Sequence, residues 1–229
     1  MKSRKNLLKR SQLYPVRSGA PRRGTSNGVY LILDRQIFGR RSLKKIYSAV
    51  SDGKIGLIQL RDKKSSKSDV LDFAIKLSKH LARSKALFIV NDYVDVALAS
   101  KADGVHLGQE DLPISEARKI LGKDKLIGIS CHNLRQALEA QKNGADYIGI
   151  GPVYATATKP EYQPIGLKVL RQLKNKIKIP YFAIGDIREA NIKNIVSAGA
   201  TRVAVCRAIL KSKNIQQTAR ELLSELRVK

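Results

Sequence analysis

Three short stretches carry side chains suited to binding anions. Gln59-Leu60-Arg61-Asp62-Lys63 sets an amide and two cations at alternate positions. On a strand, Gln59, Arg61 and Lys63 would share one face and Leu60 the other, because strand side chains alternate. Such a face suits an oxyanion-rich ligand, although the same residues would also serve as a solvated charged loop. Asn91-Asp92 and Gly108-Gln109-Glu110-Asp111 supply carboxylates. Two carboxylates opposite two cations and an amide fit a hard divalent ion bridging protein to phosphate oxygens. Mg2+ is commonly held by one or two carboxylates together with substrate and water. The competing reading is that Asp92 and Asp111 each cap a following helix. Capping accounts for either residue alone but not for the whole polar set.

Gly128-Ile129-Ser130-Cys131-His132 adds Ser130, a hydroxyl able to donate to a phosphate, and His132, either a helix-start residue or an acid/base. Cys131 has no Cys/His arrangement that would activate a thiol and reads as filler. His106 falls inside an apolar run and reads as a satisfied interior histidine, and His80 falls on a surface helix. Residues 151–167, GPVYATATKPEYQPIGL, follow the apolar run Tyr147–Ile150 and alternate Thr156 and Thr158 with Ala before Lys159-Pro160. Taken alone they are either a linker of small residues or a loop that holds something negatively charged. Gly185-Asp186 and Cys206-Arg207 end two further apolar runs. Gly at such places lets backbone N–H groups approach a phosphate closely.

The elements that must position these groups follow from periodicity. Short β-rich runs occur at Val29–Leu33, Ile55–Leu60, Ala86–Val90, Gly104–Leu107, Leu126–Ser130, Tyr147–Ile150, Tyr181–Ile184 and Arg202–Val205. Stretches with helical spacing lie between them, and a last one covers Ile215–Arg227. Eight strands alternating with helices predict an α/β fold, a single (β/α)8 TIM barrel over 28–229 with its active site at the C-terminal strand ends. An open doubly wound sheet is disfavoured, because it usually has fewer strands and no G-x-G-x-x-G follows any strand here. Weak self-similarity supports a repeat. Ala102-Asp103-Gly104-Val105, Ala145-Asp146-Tyr147-Ile148 and Ala200-Thr201-Arg202-Val203 each lead into a strand.

The formal net charge of the 229-residue chain is +25. Residues 1–27 hold eight Lys/Arg and no acid, and they read as a basic, disordered tail in preference to an organelle transit peptide. The rest of the charge is dispersed among acids. It would concentrate small polyanions and attract nucleic acid non-specifically. With 5% aromatics and no Trp, dedicated nucleic-acid binding is a minority reading. No apolar run approaches the ~18 residues of a membrane span. Two cysteines without metal-like spacing fit a cytoplasmic protein. The oligomeric state is left open, a homo-oligomer included.

In combination these pieces resemble the thiamine-phosphate synthase family, from about residue 28 to the C-terminus. The resemblance rests on Gln59–Lys63, Asn91-Asp92, Gly104–Gln109 with Asp111, Gly128–Ser130, Gly149–Pro152, Thr156–Lys159 and Ala183–Gly185. It implies a transferase that joins 4-amino-2-methyl-5-(diphosphooxymethyl)pyrimidine to a thiazole phosphate, giving thiamine phosphate and pyrophosphate. Arg61, Lys63, Asn91, Ser130 and Lys159 would then grip the diphosphate, and Gln59 would help seat the pyrimidine. Asp92 and Asp111 would hold Mg2+. Thr156 and Thr158 would meet the thiazole, whose phosphate would lie on Gly185 and the Cys206-Arg207 backbone. The loop carrying Lys159 would close over the mouth when substrates bind.

Two positions depart from the family pattern. Asp186 stands where a second glycine is usual, and Arg207 stands where a small residue is usual. Asp186 with Glu189 resembles a capping box. Alternatively, Arg207 would neutralise Asp186 or take over phosphate contact. The competing functions are a thiazole tautomerase-like isomerase that uses His132, and a basic non-catalytic barrel that binds nucleic acid.

Overall fold

A computed structural model describes residues 28–39, 41–51, 55–84, 86–158 and 160–226. The expected basic tail and Lys159 lie outside the described residues. The strands are β1 (Gly28–Asp34), β2 (Leu57–Arg61), β3 (Leu87–Asn91), β4 (Gly104–Leu107), β5 (Leu126–Cys131), β6 (Tyr147–Ile150), β7 (Tyr181–Ile184) and β8 (Arg202–Val205). The helices are α1 (Arg35–Phe38), α2 (Leu43–Ser51), α3 (Lys67–Leu81), α4 (Val94–Ala99), α5 (Ile114–Leu121), α6 (Leu134–Lys142), α7 (Gly166–Leu173), α8 (Glu189–Ser197), α9 (Arg207–Leu210) and α10 (Ile215–Glu225). Each strand pairs in parallel with its sequence neighbours, and β1 also pairs with β8, which closes the barrel in the order β1 to β8. This is the (β/α)8 TIM barrel that the alternation of elements predicts.

Strand period explains where the core sits. Outward residues such as Leu31, Leu33, Ile58, Leu60, Phe88 and Val90 are buried beneath the helices. Inward residues form a separate interior cluster of Tyr30, Ile32, Leu57, Leu87, Ile89, Leu126, Tyr147, Phe182 and Ala204. The next inward positions toward the C-terminal ends turn polar: Gln59 and Arg61 on β2, Asn91 on β3, Ser130 on β5. Because side-chain direction alternates, this parity aims the polar set into the mouth.

The internal repeat has a structural cause at the opposite end. Asp103 Oδ2 accepts from Phe88 N at 2.8 Å, and Asp146 Oδ2 accepts from Ile127 N at 2.8 Å. Each carboxylate thus satisfies a backbone donor on the strand before its own. Arg118 Nη2 pairs with Asp146 at 2.5 Å.

Candidate active site

The tips of β1 and β2 are locked by two crossed ion pairs. Asp34 pairs with Arg61, and the neighbouring residues pair in the opposite sense, Arg35 Nη1 with Asp62 Oδ2 at 3.2 Å. Asp34 Oδ1 also accepts from Gln36 N at 3.0 Å and Ile37 N at 3.2 Å, which caps α1. Asp62 Oδ1 accepts from Gln36 Nε2 at 2.8 Å and from Lys64 N and Ser65 N, each at 3.1 Å. Burial works to raise the Asp62 carboxyl, but the hydrogen bonds from Ser65, Gln36 and Lys64 outweigh it and hold the group below its ordinary value. Arg61 is therefore presented by a preformed frame, and its partner Asp34 is absent from the sequence-derived set.

Arg61 faces a cavity that holds about 990 Å3, counting its open mouth. Gln59, Asn91, Ser130, Thr156, Thr158, Gly185, Cys206 and Arg207 line it, so eight sequence-derived residues meet Arg61 in one place. Gln59 is buried and donates from Nε2 to the Tyr30 hydroxyl. Tyr30 in turn contacts the Tyr147 hydroxyl at 3.0 Å. His106 bridges Tyr147, at 3.1 Å from Nδ1, and Ser130, at 3.0 Å from Nε2. The expectation that His106 is satisfied in the interior holds, but it also joins a residue that lines the site.

A second cavity, of about 860 Å3 counting its open mouth, adjoins the first and shares Arg61, Asn91, Ser130 and His132 with it. Lys63, Asp92, Gly108, Gln109, Glu110, Asp111, Gln136 and Tyr162 complete its wall. Lys63 and Asp92 form an ion pair, and Asp92 also meets the Asp111 side chain. Burial raises the Asp92 carboxyl and the Lys63 contact draws it down, while Asp111 pushes it up again, so it lies above its ordinary value. Neither carboxylate caps a helix, so the competing reading fails at both. Asp92 has a φ of +62°, and Tyr93 and Pro113 occupy the N-cap positions of α4 and α5. Asp111 Oδ2 instead accepts from Gly108 N at 2.6 Å. Two facing hard oxygen donors beside a cation fit a divalent ion that also binds an anionic ligand.

His132 is held from three sides. Its Nδ1 lies 2.6 Å from the Gly151 carbonyl oxygen, its backbone N donates to Gln136 Oε1 at 2.7 Å, and its ring stacks on Tyr162 at 4.5 Å. Asn133, not His132, caps α6. The loop after β6 that carries Thr156, Thr158 and Tyr162 thus contacts β5 as well as the mouth. It also meets the loop after β7, where Val153 N donates to Ile184 O at 2.7 Å. Gly185 has a φ of +116°, and a Cβ there would lie 2.6 Å from Val153 N, so close packing of two loops requires the glycine.

The capping box read at Asp186 does not form. Arg188 is the N-cap of α8, and Asn191 Oδ1 accepts from Arg188 N at 2.9 Å while Asn191 Nδ2 donates to Asp186 O at 2.8 Å. Asp186 has a φ of +41°, and its side chain lies 3.7 Å from Arg188 Nη1. Among the described residues its ion-pair partner is Arg188, not Arg207, so the neutralisation expected of Arg207 is corrected. A residue two positions along the chain reaches the carboxylate more readily than one from the next strand. Arg207 begins α9 and lines the first cavity.

Neither cysteine is activated. Burial pushes the Cys131 thiol up to about 12, and burial with the nearby Asp34 charge pushes Cys206 to about 12. Burial thus works against a thiolate at either position.

The chain matches the thiamine monophosphate synthase family over residues 29–209. It is 42% identical over 192 residues to thiamine-phosphate synthase of Clostridium acetobutylicum, covering 84% of this chain and 91% of that protein. It is 43% identical over 191 residues to thiamine-phosphate synthase of Halalkalibacterium halodurans, covering 83% and 90%. The solved structure of thiamine phosphate pyrophosphorylase from Pyrococcus furiosus aligns with a TM-score of 0.79 at 35% identity, over 87% of this chain and 95% of that one. With the match running through all eight strands, the chain belongs to the thiamine monophosphate synthase family of transferase enzymes.

Proposed function

We propose that the protein is a thiamine-phosphate synthase that transfers the pyrimidinylmethyl group from its diphosphate to a thiazole phosphate and releases pyrophosphate. The observation that carries this reading is the meeting of two unlike chambers at Arg61, Asn91, Ser130 and His132. One has an aromatic floor suited to flat rings, and the other is lined by charges suited to a diphosphate. Arg61, Lys63, Asn91, Ser130 and Lys159 would bind the diphosphate. Gln59 would seat the pyrimidine, and Thr156 and Thr158 would orient the thiazole. The thiazole phosphate would rest on Gly185 and the Cys206-Arg207 backbone.

Asp92 and Asp111 would hold Mg2+, which when bound supplies positive charge to the diphosphate. The chain's own groups act on the same charge. Negative charge grows on the leaving oxygens as the carbon–oxygen bond breaks, and preorganised cations and hydrogen-bond donors stabilise it without reorganising. The aminopyrimidine ring delocalises the cation left on the methylene carbon. The thiazole nitrogen, held in place, then forms the new carbon–nitrogen bond. No proton has to move between these two bonds, so His132 is not needed as a base. With Cys131 and Cys206 both free, we place the reaction in the cytoplasm.

Incubating the protein with both phosphorylated precursors, with and without Mg2+, tests this. Thiamine phosphate and pyrophosphate should form in equal amounts, and chelation should abolish both. Isomerisation of a thiazole without pyrophosphate release would instead favour the tautomerase-like reading. Salt-sensitive RNA binding without turnover would favour the non-catalytic barrel.

A further inference from the structure

Five side chains from five strands form one hydrogen-bonded run beneath the first cavity. Gln59 Nε2 donates to the Tyr30 hydroxyl, which meets the Tyr147 hydroxyl at 3.0 Å. Tyr147 then meets His106 Nδ1 at 3.1 Å, and His106 Nε2 meets Ser130 Oγ at 3.0 Å. An imidazole with a single proton donates through one nitrogen and accepts through the other, so the run has a direction. In the reverse direction Ser130 donates to His106 and Tyr147 donates to Tyr30. The Ser130 hydrogen then stays inside the protein, and Tyr30 receives both Tyr147 and Gln59. In the forward direction Tyr30 donates to Tyr147, Tyr147 to Nδ1, and Nε2–H to Ser130. Tyr30 and Tyr147 then each accept one hydrogen and give one, and Ser130 accepts one.

The amide donor entering at Gln59 favours the forward arrangement. We propose that the run points from Gln59 to Ser130, and that Tyr147 is the positioning residue that keeps it so. By occupying His106 Nδ1 with a donated hydrogen, Tyr147 puts the imidazole proton on Nε2. Ser130 Oγ is then an acceptor toward His106 and has its own hydrogen to offer an anion in the cavities it lines. Tyr147 lines neither cavity, so its influence on a ligand passes through His106 and Ser130. The backbone makes room for this contact. A Cβ at Gly128 would overlap the Tyr147 ring and lie 2.5 Å from His106 Nδ1. Burial, with Tyr30 and Asp146 nearby, pushes the Tyr147 phenol well above its ordinary value, which keeps its hydrogen in place.

The direction of the run is independent of the function proposed above, whereas its effect on a diphosphate rests on that reading. Two measurements separate them. Long-range 1H–15N correlation on the whole chain, which has three histidines, reads the His106 tautomer directly. Nε2 should be protonated and Nδ1 bare, and Tyr147→Phe should admit the other tautomer. A wild-type His106 protonated at Nδ1 overturns the proposal. Calorimetry with inorganic pyrophosphate and Mg2+ then reads Ser130→Ala, Tyr147→Phe and the double variant. Ser130→Ala should weaken binding about tenfold and Tyr147→Phe about fivefold. In the Ser130→Ala background Tyr147→Phe should change affinity by less than about 1.5-fold, because the two act through one contact. Equal loss in both backgrounds would mean a merely structural role and overturns the proposal. If the wild-type protein ignores pyrophosphate, the proposed function falls, and the spectrum alone decides the direction of the run.

Discussion

Asp34 performs two tasks with one carboxylate, and the second is not visible in its neighbours along the chain. It caps α1 and pairs with Arg61. Replacing it with Asn keeps an oxygen for the cap but removes the charge that orients Arg61. We expect Asp34→Asn to raise KM for the pyrimidine diphosphate about fivefold with little loss of thermal stability. Asp34→Ala should in addition lose about 1 kcal/mol in denaturation, because the cap goes too. Asp62 sits in the matching pair but serves stability. Its Asn variant should lose roughly 2 kcal/mol at neutral pH. Hydrogen bonds hold the folded Asp62 carboxyl below its ordinary value of 3.8. That stabilisation is therefore complete above the unfolded value and fades as pH falls through the lower folded one. Urea denaturation of both proteins should show the gap closing only in acid.

At the scale of elements, alternation made the barrel legible. All eight strands emerge from runs of apolar residues, and β4, β6, β7 and β8 have the bounds read from sequence. Helices α1 and α9 do not, because four residues span barely one turn and show no period. Most of the site was legible for the same reason, since parity along β2 puts Gln59 and Arg61 on one face. The capping readings at Asp92 and Asp186 failed because a local motif says nothing about φ, which is positive at both, and Asp111 accepts from Gly108 N instead. The Tyr30–Tyr147–His106 contacts were hidden by separation: Tyr30 and Tyr147 lie 117 residues apart and look like ordinary strand aromatics. Gly128 is the element-level test of that layer. Gly128→Ala should cost about 1 to 3 kcal/mol through overpacking, read by chemical denaturation, and should disturb the His106 tautomer as well.

For the whole molecule, the charge of +25 acts on ligands before they touch the site. Raising ionic strength from about 0.01 M to about 0.1 M shortens the Debye length from about 30 Å to about 10 Å. At fixed Mg2+ we expect KM for the phosphorylated substrates to rise severalfold over that range while kcat stays constant, because screening affects capture and not the enclosed site. Unchanged KM in steady-state kinetics would show that the contacts in the mouth suffice by themselves. The shared wall of the two chambers sets where this protein can diverge. Arg61, Asn91, Ser130 and His132 belong to both, so an alteration at any of them is felt by both ligands at once. Gly185, Asp186 and Arg207 border one chamber only. On the proposed reading, evolution toward a different acceptor has latitude along the β7–β8 rim, while the four residues of the shared wall remain doubly constrained.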